Sequence, residues 1–280
     1  MPDFRLIGTP APRVDGAEKV TGRARYAAAH PLPKLLWGRV MHGARLHARI
    51  VRIDTSAAAA LAGVHAVITG ADVRGHLYGR AVKDMPALAD GRVRYAGERV
   101  AAVAAEDEDV AREALDLIEV EYEELPAVFD VEEALRPDAP QLHDDPGGYP
   151  GARVEGPPWN RHFYSVADRG DLAAGFAGAD VVVEHTYETP RVHQAYLEPH
   201  TSTVAIEGRR VHVWTNTKVS HGMRDVRAFT AGARRASVSR TTDGSRSRAP
   251  QGAAAWDENW RRAWRHGSGA RCSSSAGTTR

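Results

Sequence analysis

Cysteine is nearly missing from this sequence: there is one, Cys272, among 280 residues. A disulfide framework is therefore excluded, and so is a cysteine-ligated zinc or iron–sulfur site within the chain. Long apolar runs are missing too. No stretch approaches roughly 18 uninterrupted apolar residues, so no membrane-spanning helix is expected. The opening MPDFRLIGTPAPRVDG has no apolar core of the kind a signal peptide needs, and we expect a soluble cytoplasmic protein. No GxGxxG follows a strand pattern and no GxxxxGK[ST] occurs, which leaves nucleotide binding without support. There is no GxSxG and no conspicuous Ser/His/Asp order for nucleophilic catalysis.

Charge of one sign is scarce only locally. The formal net charge of +1 averages two unlike parts. Residues 1–230 hold 27 Lys+Arg against 33 Asp+Glu, a net of −6, whereas 231–280 hold ten Arg, no Lys and three acids, a net of +7. That final stretch also has no Leu, Ile, Met, Phe or Tyr. A segment with so little to bury cannot offset its ordering entropy, so 230–280 reads as a disordered tail.

The body of the chain is patterned, and the pattern is α/β (α+β). An extended lead-in rich in Gly, Pro and charge covers 1–18. KLLWGRVMHG and ARIVRIDTS read as strands, the second with Ile50 and Arg52 on one face and Val51 and Ile53 on the other. DTSAAAALAG is a short helix capped at Asp54, Thr55 or Ser56 and stopped by Gly63, and VHAVITG is the next strand. After a less regular stretch, ERVAAVAAED is apolar on both faces and predicts a buried central strand. The acids of EDEDVAREALDLIEV suit a helix N-terminus, with Val110, Ala114 and Leu117 on one face. IEVEYEELP alternates Ile118, Val120 and Tyr122 against Glu119, Glu121 and Glu123, a half-exposed strand. One domain thus spans 19–125. A Pro/Gly/Asp-rich connector covers 126–169. A second structured region, 170–229, begins with a short helix (171–178) and a strand over Val181–Glu188. HTSTVAIEGRRVHVWTNT follows as a β-hairpin, and SHGMRDVRAF starts a helix.

Each candidate for chemistry has a plain alternative. His193, His200 and His212 fall in one region, but no pair has helix-borne metal-ligand spacing. In a strand, His193 and His200 would lie roughly 23 Å apart. Ordinary hydrogen-bonded histidines are the better reading. The acidic pair Asp144–Asp145 and the Glu119–Glu121–Glu123 series read as solvated surface. Trp256, Trp260 and Trp264 recur at helical spacing among the arginines of the tail, a combination that suits single-stranded nucleic acid. No nucleic-acid motif accompanies them, and we do not expect that role.

The order of the segments says more than any one of them. RVDGAEKVTGRARYAAAHPLPKLLWGRVMHGARLHARIVRIDTSAAAALAGVHAVITGADV resembles the opening of the molybdenum-hydroxylase large subunits, the group of xanthine dehydrogenase, aldehyde oxidase and carbon monoxide dehydrogenase. RVRYAGERVAAVAAEDEDVAREALDLIEVEYEELPAVFDVEEAL continues the likeness through what that family calls the α/β-hammerhead domain. GDLAAGFAGADVVVEHTYETPRVHQAYLEPHTSTVAI and VHVWTNTK resemble the start of its molybdopterin-binding domain. The resemblance covers about residues 10–229.

What the resemblance implies is an oxidoreductase that hydroxylates a carbon of an aldehyde, a purine or another N-heterocycle with water as oxygen source. One branch oxidises carbon monoxide. A molybdenum–pterin cofactor carries the chemistry, a late glutamate acts as base, and electrons leave through an iron–sulfur subunit and an FAD-binding subunit. Carried over by position, only one residue matches a cofactor contact: Lys218, where the family has a glutamine whose amide faces the metal's oxo group. A lysine is a charged point donor rather than a neutral amide, so the position departs from the pattern. No catalytic residue and no metal ligand carries over. Past Phe229 the family pattern stops, and the Arg/Ser/Ala/Gly/Thr composition is what a GC-rich coding region gives in the wrong frame. We read the tail as a frameshift product, with a natural basic tail as the rival. The chain then holds the N-terminal part of such a subunit, inactive alone, and residues 171–229 are expected to expose unpaired edges and apolar faces. A non-catalytic hammerhead docking module and a nucleic-acid binder acting through the tail are the alternatives.

Overall fold

The computed structural model describes residues 8–217 apart from 9, 11, 31, 80, 154–159, 162–164, 168, 191, 194, 196–199 and 208–209. It adds the backbone of Arg235–Arg240 and Arg271–Ser275. The chain forms two compact units. The first combines Met1–Tyr78, Met85–Leu125 and Glu198–Arg280; the second combines Gly79–Asp84 with Pro126–Leu197.

In chain order the first unit begins with helix α1 (Gly16–Val20), strands β1 (Leu35–His42) and β2 (Ala48–Asp54), helix α2 (Ser56–Ala60) and β3 (Val64–Thr69). Three two-residue strands follow, β4 (Leu77–Tyr78), β5 (Met85–Pro86) and β6 (Arg92–Val93), then β7 (Arg99–Ala105), helix α3 (Glu108–Asp116) and β8 (Glu119–Glu124). The second unit holds the short helices α4 (Val131–Ala134) and α5 (Leu172–Ala177). The chain returns to the first unit with β9 (Thr201–Glu207), β10 (Arg210–Thr215), β11 (Arg235–Arg240) and β12 (Arg271–Ser275). These strands form a seven-stranded sheet ordered β11-β10-β9-β12-β1-β7-β3, a three-stranded sheet β6-β2-β8, and the small pair β4-β5.

Strand β7 is the centre of the hammerhead region, as its unbroken apolar sequence predicts. Its side chains alternate between two cores. Ala102 and Ala104 face Leu36, Ile68, Val73, Tyr78 and Leu88. Ala101 and Val103 face Ala58, Ala114 and Ile118. Burying a side chain of valine or isoleucine size stabilises by roughly 1.5–3 kcal/mol. The alanines allow α3 to lie close on the sheet: Ala111 and Ala114 are fully buried. Asp107 caps this helix, its carboxylate accepting the Val110 amide at 2.8 Å. The helix ends at Asp116, so Leu117 leaves the buried face and is exposed, while Ile118 takes the core place expected for it.

Backbone crosses closely at Gly70. A Cβ there would run into the Ala89 carbonyl, so only glycine lets the end of β3 pass this segment. Strand β2 departs from simple alternation. Its register to β8 shifts between Ile50 and Arg52, a bulge that turns Ile50 and Ile53 to the same core and leaves Val51 outside. On the outer face Arg49 pairs with Glu123 at 3.0 Å and Arg45 with Glu124 at 3.1 Å.

Two other expectations meet a different outcome, and in a third place the structure adds detail. The lead-in contains α1, where Asp15 is held between Arg13 at 2.6 Å and Lys19 at 2.8 Å. Val181–Glu188 is no strand: among the described residues no strand pairs with it, and Val181, Val182, Val183 and Tyr187 are all exposed. Strand propensity needs a neighbour to act on. Within the stretch expected to be disordered, β11 lies parallel to β10, and β12 lies parallel to β1 and antiparallel to β9. Backbone pairing needs no apolar side chains, and the edges of β10, β9 and β1 offer N–H and C=O groups to a further strand. The rest of 230–280 lies outside the described residues.

Candidate functional site

The β9–β10 hairpin is where the sequence points to a cofactor contact, and its register is regular: Thr215 opposes Ser202 and Trp214 opposes Thr203. Its open end carries a run of buried polar residues, Thr201, Ser202 and Thr203 on β9 and Thr215, Asn216 and Thr217 at the end of β10. Burial without hydrogen bonds would be costly, and hydroxyls on both strands are satisfied. Ser202 Oγ and Thr215 Oγ1 lie 2.8 Å apart, Thr215 Oγ1 donates to the Thr201 carbonyl at 3.2 Å, and Thr203 Oγ1 donates to the Ala27 carbonyl at 2.8 Å. The run leads to Lys218, which lies outside the described residues.

The structure disperses the other candidates. His193 Nδ1 accepts the Ala195 amide at 3.0 Å. His212 lies on β10 with Nε2 at 3.5 Å from Glu207 Oε2, and its ring stacks with Trp214. Among the described residues no group of three or more His, Cys, Asp or Glu side chains is placed to hold a metal ion. Asp145 closes a turn by accepting the Gly148 amide at 3.0 Å, and Gln141 donates to the Asp144 carbonyl at 3.3 Å. The tail tryptophans lie outside the described residues.

Two charged groups inside the hammerhead region were not singled out from the sequence. Glu98, in the turn from β6 to β7, is only 5% exposed. It accepts the Arg94 amide at 2.6 Å, with the Arg94 guanidinium 3.8 Å away. Burial pushes its carboxyl above the ordinary 4.5, against the pull of Arg94. Its role is to brace the turn, where Gly43 and Glu98 are also joined by a backbone hydrogen bond of 2.7 Å. Arg39 on β1 pairs with Glu108 in the first turn of α3. A charge beside Gly97 was the only sign of Glu98 in the sequence, and solvated charges give the same sign.

With this geometry in hand, the comparisons with known proteins are specific. Residues 21–126 match the family "Aldehyde oxidase and xanthine dehydrogenase, a/b hammerhead domain", and residues 156–243 match "Molybdopterin cofactor-binding domain". The second match runs past Phe229 and takes in β11. A probable xanthine dehydrogenase subunit of Bacillus subtilis is 43% identical over 187 residues, 66% of this chain and 23% of that protein. The nicotinate dehydrogenase large molybdopterin subunit of Eubacterium barkeri is 38% identical over 198 residues, 70% of this chain and 44% of that one. Among solved structures, a Cu,Mo-CO dehydrogenase superposes with a TM-score of 0.83 at 29% identity, over 96% of this chain and 35% of that chain. Quinoline 2-oxidoreductase from Pseudomonas putida gives 0.69 at 30%, over 85% and 30%.

A hammerhead region followed by a molybdopterin cofactor-binding region defines the class to which the chain is similar. The chain belongs to the aldehyde oxidase and xanthine dehydrogenase family. It spans between about a quarter and under half the length of these two curated relatives. The family's cofactor is molybdopterin. The described residues do not by themselves make a cradle for it. The hydroxyls of Ser202, Thr203 and Thr215 are engaged with one another or with backbone carbonyls, and no reaction step follows from them.

Proposed function

We propose that this chain is part of the large subunit of a molybdenum-dependent hydroxylase or dehydrogenase. Its substrate class is an aldehyde, an N-heterocycle or a related compound, hydroxylated with water as the oxygen source. The observation that carries the reading is the order of the two family regions on one chain, together with a fold similar to a Cu,Mo-CO dehydrogenase over nearly its whole length. The chain acts with an iron–sulfur subunit and an FAD-binding subunit and does not turn over alone. Among the described residues the hammerhead region is the built element, and Lys218, just beyond the hairpin, is the residue offered toward the cofactor. Among the described residues no helix is long and apolar enough to cross a membrane, and we assign the complex to the cytoplasm.

The self-satisfied hydroxyls of the hairpin favour one second reading, in which the hammerhead region serves as a docking surface without catalysis. Co-expression with candidate iron–sulfur and flavin subunits separates the two. Copurification with stoichiometric molybdenum and pterin supports the enzyme. Copurification without molybdenum moves the docking reading ahead. Failure to bind either partner overturns both.

A further inference from the structure

The segment Tyr26–His30 is fastened to the β9–β10 hairpin at two points. One is the hydrogen bond from Thr203 Oγ1 to the Ala27 carbonyl, between two residues that are each 1% exposed. The other is a ring stack: the His30 imidazole lies on the Trp214 indole with centroids 5.0 Å apart and planes at 27°. Trp214 stacks in turn with His212 at 6.1 Å and 23°. Residues 212 and 214 share the half-buried face of β10, while Val211, Val213 and Thr215 take the buried one.

His30 Nε2 is buried and has no hydrogen-bond partner among the described residues. A neutral imidazole tolerates that place by leaving Nε2 a bare acceptor. Protonation makes both ring nitrogens donors and puts a charged N–H where the described residues offer no acceptor. The charged and titratable groups around the stack do not compensate. Arg25 stands beside His30 on its own segment, and on the hairpin the Glu207 carboxylate is engaged with His212. An imidazolium over an indole face gains a cation–π attraction, but the buried N–H loses its hydration without a described acceptor to replace it. Burial, the first cause of the lowered His30 pKa, works against the charged form.

We propose that His30 is a pH-sensitive latch: its neutral ring holds segment 26–30 on the β9–β10 hairpin, and its protonation releases that segment. Burial first, and Arg25 second, hold the His30 pKa below the ordinary 6.5. A histidine whose folded pKa is lowered contributes stability that is complete above 6.5 and is lost as pH falls from there through the folded value. The same hairpin runs on to Thr217 and position 218, so the bearing of the latch on cofactor binding rests on the reading proposed above. The latch itself does not.

The test is NMR of the full chain with labelled histidine, combined with hydrogen exchange, and neither needs cofactor. One imidazole resonance, identified by its loss in His30→Phe, should be shifted upfield by the indole and should titrate below 6.5. It should move to its unshifted position as it charges, and Trp214→Leu should abolish the upfield shift. Exchange across 26–30, corrected for intrinsic rates, should be several-fold faster near about pH 5.5 than near about pH 7.5. His30→Phe keeps a flat ring that cannot charge and should show no such difference. A midpoint at or above 6.5, or a ring shift that survives protonation, overturns the latch. An exchange profile identical in His30→Phe overturns it as well. Should that variant not fold, the wild-type titration against Trp214→Leu decides the matter.

Discussion

Two stretches of seven residues, Arg99–Ala105 and Val181–Tyr187, reverse what their compositions suggest. The first, RVAAVAA, is rich in alanine, which is depleted in strands; the second, VVVEHTY, opens with three β-branched residues. Yet the first is an interior strand of the seven-stranded sheet, with Val100 through Ala105 buried, and the second pairs with no described strand and has every residue exposed. The difference lies in the neighbours. β7 has β1 on one side and β3 on the other, and alanine keeps it thin enough for α3 and the opposite core to close over it. Val181–Tyr187 has the side chains of a strand and, among the described residues, no backbone to pair with. Strand formation is a property of the pair.

Substitutions at matched positions test this most strongly. Val103→Asp places an unpaired carboxylate in the core of the first unit and should cost about 4 kcal/mol or more, enough to lose the cooperative transition in urea. Val182→Asp should stay within about 0.5 kcal/mol of wild type. If the two changes cost the same, Val181–Tyr187 is packed in solution and the contrast is wrong. Gly70→Ala forces the backbone of β3 away from Ala89 and should cost about 1–3 kcal/mol, read as a lower urea midpoint at unchanged slope. Asp107→Ala removes the cap of α3 and should cost about 1 kcal/mol.

The smallest effect is one of pH. The folded-state pKa of Glu98 is raised by burial, so on unfolding the carboxyl returns to its ordinary 4.5. Its contribution to stability is complete below about 4.5 and declines as pH rises through the folded value. Glu98→Gln should flatten that part of the stability profile. An unchanged slope in the variant would show that another group sets it.

Much of the first unit was legible because its determinants are local. The two-faced apolar run of β7, the acids that open α3, the alternation of β8 and the hairpin each declare themselves within about twenty residues of sequence. What escaped reading depends on partners distant in sequence. The bulge in β2 arises from its pairing with β8, and the burial of Glu98 from a turn closed against Gly43. The order of β11 and β12 comes from edges that other strands present, which no composition reveals. The candidate site was legible only as a resemblance. The buried hydroxyls of TSTV and WTNT look like any polar strand ends until their pairing is seen.

The bond between Thr203 and Ala27 joins residues 176 apart in the chain. A ribosome adding about 5–20 residues per second needs roughly 9–35 s to cover that interval. The hammerhead strands, whose contacts fall largely within the first 125 residues, can pair during that time, while the carbonyl of Ala27 waits for the hydroxyl that completes it. Docking of the hairpin is thus a late event of synthesis, and in those seconds the emerging chain keeps an unfilled acceptor and a bare sheet edge open to chaperones.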